Sequence, residues 1–168
     1  MKKTLLFATL FVSVLLVSGC DFFRKIAGRP TSDEISAKLE ALTASISVLQ
    51  DGESTPDMSY NDSLIVMKAL ETNPEILMKA NPALVKSGSG LDTDFCVMTG
   101  TFRKSSNADK LYLKARSAGY NAILIHYSNG LTAVGVEPTD NLIEAYHSLV
   151  RVLKEDFFPG DSWIIDNR

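Results

Sequence analysis

The sequence has few of the residues from which catalytic and metal sites are built. It contains two histidines and two cysteines, and neither His126 nor His147 has a carboxylate or cysteine at metal-ligand spacing. The Ser-x-x-Lys, Gly-x-Ser-x-Gly and His-Glu-x-x-His patterns of hydrolases are absent from it. The formal net charge is −3, so the chain lacks the excess of basic residues that is typical of nucleic-acid-binding proteins. We therefore expect no enzymatic activity, no cofactor, no metal and no nucleic-acid partner.

The N-terminus has the layout of an export signal. Lys2 and Lys3 precede a nearly continuous apolar run over residues 5–17. This run is shorter than the about 20 residues that a membrane-spanning helix needs. The segment Val17-Ser18-Gly19-Cys20 resembles a bacterial lipobox. The resemblance implies that residues 1–19 are a lipoprotein signal peptide and that Cys20 becomes a lipidated N-terminus. The alternative is an ordinary cleaved signal followed by a chance cysteine.

Lipidation of Cys20 leaves Cys96 as the remaining cysteine, so the sequence predicts no internal disulfide framework. Cys96 lies within an apolar segment, which favours a small buried side chain over a catalytic thiol. Asp21 follows the lipidation position and, in enteric bacteria, resembles an inner-membrane retention signal. We expect a periplasmic protein anchored to the inner or the outer membrane.

The first half of the mature chain predicts a small helical module over residues 31–86, after a short tether over residues 20–30. Thr31 and Glu34 have the spacing of a capping box. Apolar residues then recur at intervals of four and three, a stripe that favours packing on a neighbour over a short coiled coil: Ile35, Leu39, Leu42, Ile46 and Leu49.

The remainder of this module predicts a second helix over residues 62–71 and two short helical turns. Each turn begins at an Asn-Pro pair, Asn73-Pro74 or Asn81-Pro82, because proline suits the first helical position. Residues 87–94, SGSGLDTD, have the composition of a flexible linker.

Residues 95–168 alternate between strand and helix patterns in the order βαββαβ. The expected strands cover residues 95–102, 121–127, 131–136 and 163–165, and helices follow the first and third strands. This order predicts an α+β fold, with a four-stranded antiparallel sheet and both helices on one face, the ferredoxin-like or RNP-like arrangement. The opposite face is left open and needs either a cover or a ligand.

Four segments of this half resemble the SPOR domain of bacterial envelope proteins: FCVMTGTF, NADKLYLKARSAGYNA, NGLTAVGV and the closing DSWII. The resemblance covers residues 95–168. It implies a non-enzymatic domain that binds peptidoglycan glycan strands lacking stem peptides and that collects at division sites. The chain is then expected to act in cell division or envelope maintenance, with division-site proteins as further candidate partners.

The resemblance also nominates binding residues and shows departures from the family pattern. The family glutamine falls on Met98, its Tyr-Arg pair falls on Thr132 and Ala133, and Thr101 replaces a serine. The candidate glycan-binding residues are Met98, Thr101, Arg103, Thr132 and Trp163. Because Met98 and Ala133 offer no sugar-binding donors, three outcomes remain open. The sheet binds glycan weakly, it docks a protein partner, or it is buried against the helical module.

The lipobox resemblance makes a prediction that membrane fractionation tests. Substitution of Cys20 by alanine should release the protein from membranes and abolish incorporation of labelled fatty acid, because the acyl chains carry the anchoring free energy. Substitution of Ser18 by alanine, which keeps the cysteine, is the matched control. A Cys20→Ala protein that stays entirely with the membranes would contradict lipid anchoring.

Overall fold

A computed structural model of the protein describes residues 30–47, 58–86, 88 and 90–168. The expected signal peptide, Cys20 and most of the tether lie outside these residues, as does Leu49. The helices are α1 (Ser32–Ser47), α2 (Met58–Thr72), α3 (Ser105–Ser117) and α4 (Leu142–Leu153). The strands are β1 (Leu77–Lys79), β2 (Phe95–Phe102), β3 (Ala122–His126), β4 (Thr132–Thr139) and β5 (Trp163–Asp166). The predicted α+β class is confirmed.

The strands form one five-stranded mixed sheet in the order β1-β5-β2-β4-β3. The pairs β5–β2, β2–β4 and β4–β3 are antiparallel, whereas β1 pairs with β5 in parallel, from Leu77 opposite Ile164 to Lys79 opposite Asp166. The predicted sheet of four antiparallel strands is therefore wrong in strand number and in type. The additional strand comes from the segment for which the sequence predicted a helical turn.

The first Asn-Pro pair explains this error. Pro74 starts only a single 3₁₀ turn, Pro74–Ile76, and the chain then extends into β1. An isolated turn is too short to overcome the cost of helix nucleation. The outer edge of β5 offers unpaired backbone groups instead, and β1 pairs with them.

The two longer N-terminal helices form as the sequence predicts, although α2 begins four residues earlier than expected. At the start of α1, the Thr31 amide donates to Glu34 Oε2 at 2.7 Å and the Glu34 amide donates to Thr31 Oγ1 at 3.4 Å. The predicted capping box is thus confirmed.

One continuous core joins these helices to the sheet. Helices α3 and α4 contact the same face of the sheet, and α1 and α2 pack against α4 from outside. Leu42 of α1 and Tyr146 of α4 are fully buried in this core, where the Tyr146 hydroxyl donates to the Leu42 carbonyl at 2.8 Å. Burial raises the pKa of Tyr146 to about 12. The helical module is therefore a layer of the same core, and residues 87–94 do not separate two cores.

Buried Asp166 fixes the junction between β5 and β1. Its carboxylate accepts hydrogen bonds from Arg168 Nε at 3.0 Å and Arg168 Nη2 at 3.1 Å, and Lys79 Nζ of β1 lies 3.7 Å away. The Arg168 side chain, through these bonds, is the main cause that lowers the pKa of Asp166. This stabilising contribution is complete above the ordinary carboxyl pKa and is lost as the pH falls through the lowered value.

A shared core predicts that the second half of the chain does not fold alone. A fragment of residues 91–168 lacks β1 and the core side chains that precede it, among them Leu42 of α1, Val66 of α2 and Ile76 of the 3₁₀ turn. Full burial of each such side chain contributes about 1.5–3 kcal/mol, so their loss approaches the whole stability of a domain. We expect no cooperative thermal transition by circular dichroism for this fragment, whereas residues 30–168 melt cooperatively. Equal melting temperatures for the two fragments would show that the core is not shared.

Candidate functional site

The sheet face opposite the helices is the expected ligand-binding surface, and it is apolar. Its buried side chains are at most 7% exposed and form one cluster: Leu91, Cys96, Met98, Ile125, Ala133 and Ile165. Partly buried apolar side chains surround them: Ala80, Val85, Ile123, Tyr127 and Trp163. This face therefore has the character of a second core.

Alternation along β2 assigns the side chains to the two faces. Phe95 and Val97 belong to the main core, whereas Cys96 and Met98 belong to the second cluster. Gly135 of β4 lies opposite Met98, and a Cβ atom there would lie 2.5 Å from Cys96 Sγ. A glycine at this position therefore allows Cys96 to pack flat against the sheet.

The Cys96 thiol is deeply buried within this face. Its Sγ lies 3.4 Å from the Val136 carbonyl oxygen, and burial raises its pKa to about 12. A thiol with so high a pKa holds almost no nucleophilic thiolate at neutral pH. Cys96 is therefore a packing residue in this conformation.

Residues Ala80–Lys86, here called the strap, cross this face. At one edge of the sheet the Ala80 amide donates to the Asp166 carbonyl at 2.7 Å. At the other edge the Lys86 amide donates to the His126 carbonyl at 2.9 Å, beside a β-bridge between Val85 and Tyr127. The strap thus links β5 to the end of β3, and its Ala80 and Val85 side chains pack against the apolar cluster.

The second Asn-Pro pair shapes the strap. The Asn81 side-chain oxygen accepts from the Ala83 amide at 3.1 Å, and the Asn81 carbonyl accepts from the Leu84 amide at 2.9 Å. These bonds close one turn, after which Val85 is extended and bridges to β3. A turn begins at the second Asn-Pro pair as predicted, but it is a single turn and not a longer helical segment, because Val85 pairs with the chain that follows β3.

The face is covered, and the cover comes from residues 31–86, so burial against that part of the chain is the one of the three open outcomes that the structure shows. Met98 is 1% exposed and Ala133 is fully buried, so neither contacts solvent. Met98 and Ala133, which stand where the SPOR pattern has polar residues, lie beneath the strap. Apolar side chains at these positions need a cover, and the strap together with Leu91 supplies it.

Two of the five candidate glycan-binding residues lie on opposite faces of the sheet. Met98 is in the covered cluster. Thr132 is 5% exposed and pairs with Phe102 and His126, on the side opposite its neighbour Ala133. The Thr132 hydroxyl lies 3.3 Å from His126 Nδ1. The structure therefore does not bring Met98 and Thr132 to a common site.

The other three candidates remain accessible at one end of the sheet, and we call them the rim: Thr101, Arg103 and Trp163. Thr101 is exposed and pairs with Ala133, which places it on the strap side. Trp163 is partly buried and lies opposite Met98 on the same side. Arg103 is exposed just beyond the end of β2. Trp163, the first residue of β5, pairs with Met98. The last residues of β2, up to Phe102, therefore extend beyond the start of β5.

Sequence reasoning missed the strap, although one signal pointed to it. An open face carrying Met98 and Ala133 in place of polar residues required a cover, but the chain segment that forms the cover has no strand periodicity. Among the described residues, no group of three or more metal-binding side chains occurs, and no helix is long and apolar enough to span a membrane.

Comparisons of the chain with protein-family models, curated proteins and solved structures give no match.

The covered face predicts that polar substitutions will destabilise the protein. Replacing Met98 by glutamine would bury an amide in the apolar cluster, at a cost of about 1–3 kcal/mol if it finds no partner. Thr101→Gln, on the same face but exposed, is the matched control and should change the free energy of unfolding by less than about 0.5 kcal/mol. Urea denaturation of both variants measures the difference. A Met98→Gln protein as stable as the control would mean that the face is open to water.

Proposed function

We propose that this chain is a non-enzymatic envelope protein that binds peptidoglycan glycan strands weakly, through the rim of a SPOR-like domain. The observation that carries the proposal is the antiparallel order β5-β2-β4-β3, with α3 and α4 on one face of the sheet. This is the ferredoxin-like strand order that the SPOR resemblance implies, with β1 added at one edge. The fold analogy supports the domain type, and the site chemistry must support the ligand.

The rim offers the side-chain types that sugars require. The Thr101 hydroxyl donates and accepts hydrogen bonds, Arg103 donates only, and the partly exposed Trp163 adds an aromatic side chain. Met98 and Thr132 are buried and add no donor to this surface. Since each hydrogen bond contributes about 1 kcal/mol net, so few contacts favour weak binding.

Lipidation at Cys20 would place this domain in the periplasm close to a membrane. Eleven residues, 21–31, lie between the proposed anchor at Cys20 and the start of α1 at Ser32. Fully extended, they span at most about 3.3–3.6 Å each, or roughly 40 Å in all. A bound glycan strand must therefore lie within this distance plus the distance from the start of α1 to the rim, measured from the anchoring membrane.

A second candidate function is protein docking in the envelope, and the apolar character of the covered face favours it. Cys96, Met98 and Ala133 provide no hydrogen-bond donors suited to a sugar. An apolar face beside the edge strand β3 is instead suited to an extended peptide segment. The two candidates use different surfaces, because glycan would contact the rim and a peptide would contact the face under the strap.

Sedimentation with sacculi tests the glycan proposal. The protein should pellet with amidase-treated sacculi more than with untreated sacculi, because only the former carry peptide-free glycan. Thr101→Val and Arg103→Ala should each lower the retained fraction, by up to roughly fivefold in affinity for the loss of about 1 kcal/mol. Leu113→Ala changes an exposed apolar residue on α3 and is the control that should leave binding unchanged.

The wild-type chain decides between the candidates. If it shows no preference for amidase-treated sacculi while remaining folded by circular dichroism, glycan is not its ligand. Rim variants that bind as well as wild type would instead place the glycan elsewhere on the protein.

A further inference from the structure

A cavity of about 290 Å³ lies between the N-terminal half of α1 and the segment that follows α4. Its floor is apolar and buried, since Val152, Leu153 and Phe158 are at most 6% exposed. Ile35 and Leu39 of α1 form the facing wall and are half-buried. The cavity is therefore an apolar recess beside the main core.

Two contacts hold the walls of this cavity in place. A Cβ atom at Gly160 would overlap the Ile35 side chain, which shows how closely the loop after α4 approaches α1. One turn further along α1, the Lys38 ammonium group donates to the Ser162 carbonyl at 3.2 Å. The cavity is therefore formed before anything enters it. An occupant would cover its apolar floor without displacing a described element from the core.

The tether enters the fold beside this cavity. Ser32, the first residue of α1, lines the cavity, and the wall continues along α1 to Leu39. Since a helix rises about 1.5 Å per residue, this wall is about 10 Å long. The extended chain from Ile26 to Ser32 spans up to about 20 Å, so Ile26 can reach any part of the wall when the chain turns back. Gly28 and Pro30, which lie between them, favour such turns.

The charges of the cavity and of the tether are complementary. Glu155 and Asp156 form the polar side of the cavity together with Lys154, so carboxylates outnumber ammonium groups there. Ile26 stands among the basic residues of the tether, which are Arg24, Lys25 and Arg29. Their attraction to the carboxylates favours a docked Ile26. Because the tether is part of the same chain, even weak attraction acts at a high effective concentration.

We propose that the tether folds back and places Ile26 in this cavity, as an intramolecular latch that holds the proposed lipid anchor close to the fold. The cavity volume is at the lower end of the about 300–1,000 Å³ of ligand pockets, which suits a side chain better than a cofactor. With Ile26 docked, residues 21–25 alone link the fold to Cys20, a span of roughly 20 Å. Docking therefore shortens the reach of the domain from the membrane, and release restores it.

This consequence for reach rests on the proposed anchor at Cys20. Docking of Ile26 itself requires neither lipid nor glycan, so the latch can be tested apart from both.

Limited proteolysis of the full mature chain in detergent tests the latch. Trypsin cleaves after lysine and arginine, so cleavage after Lys25 and Arg29 reports whether the tether is accessible. Ser36→Trp fills the cavity from the α1 wall and leaves the tether sequence unchanged. It should accelerate cleavage at least about tenfold, a change that burial of one large apolar side chain supports. Ala37→Trp, at the next and exposed position of α1, is the matched control and should cleave like wild type.

Cysteine cross-linking locates the tether on the fold. Ala27→Cys, beside Ile26, is combined with Ser36→Cys in one chain and with Ala37→Cys in another, and both chains carry Cys20→Ala. The first pair should form its disulfide at least about tenfold faster on mild oxidation, because docking places residue 27 on the cavity side of α1. Adding Ile26→Asp, which removes the docked side chain, should make the two rates equal.

Each result supports or overturns the latch. Equal cleavage of wild type, Ser36→Trp and Ala37→Trp, with equal melting by circular dichroism, would mean that the tether does not occupy the cavity. Equal cross-linking rates before Ile26→Asp is added would mean the same, even if Ser36→Trp fails to fold.

Two further outcomes would assign the cavity or the tether to a different partner and would also overturn the latch. A cross-linked dimer in place of a cross-linked monomer would show that the cavity takes the tether of a second copy. Protection from trypsin that requires phosphatidylglycerol vesicles and persists in Ser36→Trp would place the tether on the membrane surface. No arm contains sacculi, so failure of glycan binding at the rim leaves these results unaffected.

Discussion

The structure depends on the burial of an apolar sheet face that no described helix covers. Helices α3 and α4 cover one side of the sheet, which leaves Cys96, Met98 and Ile165 on the other. Each such side chain gains about 1.5–3 kcal/mol when it leaves water, so an uncovered face would be costly. Strand β1 and the strap meet this constraint, since β1 pairs with the edge of β5 and the strap then crosses the face.

The same constraint changes the interpretation of the SPOR resemblance. The resemblance concerns residues 95–168, whereas the cover comes from residues before them. Met98 and Ala133 stand where the SPOR pattern that the sequence resembles has polar residues, and both are buried here. The glycan proposal therefore rests on the rim, because the face itself is covered.

The sequence predicted correctly those features that residues close together in the chain determine. The Thr31–Glu34 capping box forms as predicted, because both of its partners lie within one turn of the chain. The errors concern Leu77–Lys79 and the strap, whose conformation is decided by distant backbone groups at Ile164, Asp166 and His126. For the candidate site, only the long-range contacts of the strap could show that Met98 is covered.

The central claim is that the chain itself closes the sheet face through the strap. In a non-hydrogen-bonded antiparallel pair the two Cα atoms approach most closely, so the Hα protons of Val85 and Tyr127 face each other. Nuclear Overhauser spectroscopy on the isotope-labelled protein measures this contact directly. The account predicts a strong Hα–Hα cross-peak between Val85 and Tyr127, together with cross-peaks from Val85 methyl groups to the covered cluster. Absence of these cross-peaks in the folded protein, with the Met98 methyl group accessible to solvent, would contradict it.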